Sequence, residues 1–196
     1  MKAILLAATL VIISCTARTQ NAIPAAEAQI KSALMACPAD KREGAKVYGY
    51  DARGEFVVLR EGTNEMVCIA DDPHSKGFNA AAYHKDMDPF MARGRALRKE
   101  GKTNQEIFDI REQEVKAGKL KISHGSTLFI CFGPDEVFNK ETGELTGASL
   151  RYVVYIPYET SESTGLPLKP GAPGMPWIMD PGTHRAHIMI NPPKGN

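Results

Sequence analysis

The chain carries none of the short motifs that mark common hydrolases and nucleotide-binding enzymes: HExxH, GxSxG, SxxK, the P-loop and GxGxxG are all missing from its 196 residues. Zincin, serine-hydrolase and dinucleotide-binding readings therefore begin without support. There is no CxxC among its four cysteines, which removes the zinc-ribbon and thioredoxin-type signals. Charge of neither sign dominates, with 24 Lys and Arg against 23 Asp and Glu, so there is no electrostatic case for a nucleic-acid partner. No repeat or low-complexity segment occurs. The longest run of small and apolar residues, Ala3 to Ile13, is too short to cross a bilayer.

That run is nevertheless informative. Lys2 precedes it and Ser14 and Cys15 follow, the pattern of an export signal that is removed and takes no part in the fold. Ile12-Ile13-Ser14-Cys15 resembles the lipobox of bacterial lipoproteins, in which cleavage before the cysteine leaves a thiol that is lipidated. The resemblance implies a signal peptide over residues 1–14, a lipid on Cys15 and attachment to a membrane. Thr16, where an aspartate would favour inner-membrane retention, implies the outer membrane or periplasm. The alternative is an ordinary signal cut after Ala17 and a secreted product. Removing residues 1–14 takes away Lys2 and no acid, so the mature chain is formally neutral.

The remaining residues, 15–196, suit one domain. Pro24 can open a helix in which Ile23, Ala26, Ile30, Ala33, Leu34 and Cys37 recur at helical spacing until Pro38. Three runs, 46–51, 55–60 and 65–70, are joined by tight Gly- and Asn-bearing linkers and predict an antiparallel meander. Asp88-Pro89 and the capping box Thr103-Asn104-Gln105-Glu106 open two helices ending near Gly101 and Gly118. The basic run Arg93, Arg95, Arg98, Lys99 and Lys102 reads as the solvated face of this helical hairpin. Further strands are expected over 127–132, 150–158 and 184–190, with a hairpin tip at 139–144. The fold class is α+β: one mainly antiparallel sheet of about six strands, with the helical hairpin and the N-terminal helix on one face. Of the cysteines beyond Cys15, Cys68 and Cys131 sit in apolar strand-like runs and read as buried hydrophobes; with Cys37 they allow at most one disulfide.

Three groups of residues could carry function. Residues 159–176 hold four prolines and three glycines without a period, and aperiodic stretches of that length are commonly functional. Tyr158, Met175, Trp177 and Met179 would make it an apolar binding loop. His184 and His187, with Asp180, could serve as metal ligands or an acid/base couple, zinc being the metal they suit. In a strand, however, residues three apart face opposite ways, so both reach one ion only if His184 belongs to the Pro181-Gly182 turn. Otherwise they are turn or polar-face histidines. Asp71, Asp72 and His74, with His84 ten residues on, offer similar chemistry or a proline turn capped by Asx side chains. The preferred reading is an exported, lipid-anchored envelope protein that binds a small molecule or an envelope partner, with no cofactor implied. A metal-assisted hydrolase using the Asp and His groups is the alternative, and a purely structural envelope protein the third.

Overall fold

The computed structural model describes residues 23–193; the export-signal reading and Cys15 lie outside the described residues. The first hairpin pairs β1 (Lys46–Tyr50) with β2 (Phe56–Arg60) around Asp51, whose carboxylate accepts the backbone N–H of Arg53 and Glu55. The expected meander stops there. Strand β3 (Met66–Ile69) lies on the other side of β1 and runs parallel to it. The linker explains the crossover: the N–H groups of Thr63 and Asn64 both donate to the Gly44 carbonyl, drawing the chain past the start of β1.

A meander does form afterwards, through β3, β4 (Phe78–His84), β5 (Thr127–Gly133) and β6 (Ser149–Tyr155). β7 (Trp177–Met179) and β8 (His187–Ile190) complete one open sheet in the order β2-β1-β3-β4-β5-β6-β8-β7, antiparallel except at β1/β3. The domain is α+β. Strand β4 was not expected because Ala80, Ala81 and Ala82 favour strands weakly. Their smallness is what lets packing close on both faces of a central strand.

The helices occupy opposite faces, not one. Helix α1 (Ala26–Ala33) and the 3-10 turn that follows it cover Val47, Cys68, Phe78, Ala80, Ala82 and Cys131. Gln29 fastens α1 to the sheet: its amide donates to the Tyr50 carbonyl and accepts the Tyr50 N–H, at 2.8 and 2.9 Å. A Cβ at Gly49 would stand 2.5 Å from the Gln29 oxygen, so glycine is needed where the two elements touch. The 139–144 tip folds back against α1, where Gly143, at φ 72°, meets the backbone of Ala28.

On the other face, α2 (Asp88–Lys99) and α3 (Asn104–Lys116) set Met87 and Phe90 against Val67, Tyr83, Leu128, Val153 and Tyr155. The capping box of α3 is formed, Thr103 and Glu106 each binding the other's backbone N–H. Asp88 is not a cap. Its carboxylate instead accepts from the Tyr83 hydroxyl at 2.8 Å and from Arg95 at 3.1 Å. The basic run is correspondingly less solvated than expected: Arg95 lies over the rings of Tyr48 and Phe56, and Arg93 pairs with Glu114.

Candidate functional site

The segment between β6 and β8 is a closed loop. At its base the Tyr158 N–H donates to Thr183 C=O and the Gly182 N–H to Glu159 C=O, at 2.7 and 2.8 Å. Tyr158 (φ 67°) and Asp180 (φ 51°), the two non-glycine residues at positive φ among the described residues, bracket it. Such conformations cost about 1 kcal/mol or more each and persist where the surroundings enforce them. The loop has more structure than its composition suggests: α4 (Ser161–Thr164) is one turn capped by Thr160 and Ser163 and ended by Gly165. The Ile178 N–H also bonds the Pro167 carbonyl, covering part of the sheet edge.

Four of the seven large exposed apolar side chains among the described residues are on this segment: Tyr158, Leu168, Met175 and Met179. Concentration on one loop, rather than scatter, is what marks a contact surface. Residues 170–174, Trp177 and residues 191–193 border an open groove of about 420 Å³, within the usual range for small-molecule sites. Among the described residues its lining carries no charged side chain. Among the described lining residues the polar side-chain groups are the Trp177 indole N–H and the Asn191 amide; the Asn191 carbonyl oxygen accepts from Arg151 at 2.8 Å, which leaves its N–H₂ to offer to a ligand. Trp177 is thus in the groove, while Tyr158, Met175 and Met179 stand outside its lining.

The histidine pair forms a different arrangement. His184 does lie in the turn after Pro181-Gly182, the strand beginning only at His187. It is fully buried, between the rings of Phe90 and Phe108. Glu112 of α3 holds it twice, one carboxylate oxygen accepting the His184 backbone N–H at 2.8 Å and Nδ1–H at 2.5 Å. Lys116 takes the other oxygen at 2.7 Å. Burial holds the His184 pKa below the ordinary imidazole value despite Glu112, so the ring is neutral with its proton on Nδ1. Burial by itself would raise the Glu112 carboxyl. The bonds from Lys116 and His184 outweigh it and keep the group below the usual carboxylate range.

His187 is also buried, packed on Tyr155, and donates Nδ1–H to the Arg185 carbonyl; a polar sheet face is not where it sits. Asp180 binds Arg185 at 2.7 Å. Each member of the expected ligand set therefore has its own partner. Among the described residues no group of three or more His, Cys, Asp and Glu is placed to hold a metal ion.

Asp71, Asp72 and His74 lie at the opposite end of the strands, beside the start of β4. The ladder runs Asn79, Phe132, Ser149 at that end, and Tyr83, Leu128, Val153 and on to Tyr155 and His187 at the other. The two clusters do not meet. Asp72 accepts the His74 N–H at 2.9 Å in an Asx turn, and Asp71 accepts the Asn79 N–H at 2.8 Å. The crevice beside Asp71 has room for about 10 Å³, one water at most. His84 accepts the Asp86 N–H and caps the 3-10 turn before α2.

Burial raises the Asp71 carboxyl to about 6. The folded state then binds the proton more tightly than the unfolded one, so stability is lost as pH rises through the folded value. Asp71→Asn, which keeps the acceptor for Asn79, should therefore raise the unfolding free energy at pH 7 by about 1 kcal/mol, after discounting for partial solvent exposure. Urea unfolding checks this: the gain should shrink as pH falls below the folded value and vanish at about pH 3, where the carboxyl is largely protonated in both states.

Glu112, Arg111 and Asn191 were not singled out from the sequence. Arg111 had a signal: Ile107, Arg111 and Val115 recur every four residues, placing a guanidinium inside an apolar stripe. It is buried over the Phe90 ring, and Gly94 leaves the space it fills. Its Nε and the Nε2 of His184 are the buried side-chain polar atoms without a partner among the described residues. Comparison with known protein families, curated proteins and solved structures finds no match to this chain.

Proposed function

We propose that this is an exported envelope protein, anchored by a lipid on Cys15, that binds an uncharged and largely apolar ligand in the groove beside Trp177. The uncharged lining of that groove, among the described residues, is the observation that carries the reading. A charged ligand would lose its hydration there without gaining a counter-ion. An apolar molecule with one hydrogen-bond acceptor would meet Trp177, the loop prolines and the Asn191 amide together. Prolines in the wall limit the freedom that binding would otherwise remove, which favours a preformed site. The metal-assisted hydrolase alternative finds no assembled ligand set among the described residues.

Nile red, an uncharged aromatic dye with oxygen and nitrogen acceptors, is a suitable probe because Trp177 is the chain's one tryptophan. Saturable binding with energy transfer from Trp177 is expected. Ala172→Glu places a carboxylate at an exposed groove position. It should weaken binding at least about tenfold while changing stability by no more than about 0.5 kcal/mol. Equal binding by the variant, or none by the wild type, would count against the groove.

A further inference from the structure

We propose that Cys37 and Cys68 join in a disulfide as the chain folds in an oxidising compartment, leaving Cys131 as the one free thiol of the described domain. The argument begins with placement. Cys37 ends the 3-10 turn after α1, and Cys68 lies in the middle of β3. Both cysteines fall in one core cluster, with exposures of 2% and 0%. Each thiol is the neighbouring group that acts most strongly on the other. Closing the bridge would bring the two sulfurs to about 2.05 Å.

Cys131 cannot take the place of Cys37. It faces the same layer as Cys68, but β4 runs between them, Cys68 standing opposite Ala82 and Cys131 opposite Ala80. Two strand spacings put the pair roughly 9.5 Å apart before the two-residue offset, beyond the ~7 Å that a disulfide spans between Cα atoms.

In the chain still folding either thiolate can begin the exchange, and the steps balance in the same way when written from Cys37. Its thiolate would displace one half of a small disulfide oxidant such as glutathione disulfide, giving a mixed disulfide and one glutathione thiolate. Cys68, deprotonated, then attacks the Cys37 sulfur and expels the second glutathione. Two protein thiols are oxidised and one glutathione disulfide is reduced to two glutathiones. Because both cysteines are covered in the finished fold, the exchange belongs to folding, before the core closes over them.

The proposal rests on the export reading only for the compartment, and the test supplies its own oxidant. The protein is unfolded, refolded in a buffer of reduced and oxidised glutathione, alkylated under denaturing conditions and digested with trypsin without reduction. Cleavage after Lys31, Lys41, Arg60, Lys76, Lys121 and Lys140 separates the three cysteines into different peptides. The expected result is a linked pair containing Cys37 and Cys68, with Cys131 alkylated. Cys131→Ser should keep the link and Cys37→Ser should lose it. The oxidised protein should melt roughly 5–10 °C above the reduced form. Three alkylated cysteines after oxidative refolding, or a link through Cys131, would overturn the proposal. A bridge that forms in this buffer but is missing from protein isolated from cells would count against export instead.

Discussion

Glu112→Ala is expected to lower the unfolding free energy by about 3 kcal/mol, more than an acid on an otherwise polar helix face would suggest. The cost arises at His184. One Glu112 oxygen accepts both its backbone N–H and its Nδ1–H, and the imidazole is fully buried between Phe90 and Phe108. Removing the carboxylate leaves two buried donors unpaired, at about 1–3 kcal/mol each, with part of the loss recovered if water enters. A Tm lower by roughly 6–12 °C follows for a chain of this size. Glu112→Gln retains an acceptor oxygen and should fall between the two. Urea unfolding with an unchanged slope would attribute the loss to the folded state; a loss under about 1 kcal/mol would show that the loop is held by something else.

The same pair makes a prediction about acid. Below about pH 6.5 the unfolded chain protonates its histidines, while burial keeps His184 and His187 neutral in the fold, so stability falls as pH falls. Glu112 adds a second window. Its folded pKa lies below the ordinary carboxylate value, so the stability it contributes is present above about pH 4.5 and disappears beneath it. Glu112→Ala should flatten the lower window and leave the upper one in place.

Much of the fold was legible because local chemistry and tertiary packing agree. The Thr103–Glu106 box, the 139–144 tip and the first hairpin are set by side chains within a few residues of one another. What was illegible depends on distant partners. β4 is a strand because α1 and α2 close on its two faces, which an alanine run does not reveal. β3 pairs with β1 in parallel because Gly44 captures the 63–64 linker, a contact that no periodicity encodes. At the site, Trp177 and the proline loop were visible as composition. Asn191 was not, since it becomes part of the groove only when β8 ends beside that loop. His184 and Glu112 are 72 residues apart, and neither alone distinguishes a catalytic pair from a buried structural one.

Cys15→Ser is expected to move the protein almost entirely from the membrane fraction to the soluble one. The proposed attachment is by the acyl chains of Cys15. Each buried methylene of such a chain contributes about 0.8 kcal/mol, and two or more chains make the anchoring effectively stable where one is marginal. Serine cannot form the thioether, so the whole of that contribution is lost at once. Intact-mass measurement of the wild-type protein should show a mature chain starting at Cys15 and carrying acyl groups, and the variant should show neither. Because the substitution lies outside the described fold, urea unfolding of residues 23–193 and Nile red binding should be unchanged. An unmodified mature N-terminus at Arg18 in the wild type would refute the anchor while leaving the groove, the Glu112–His184 pair and the Cys37–Cys68 bridge to stand on their own tests.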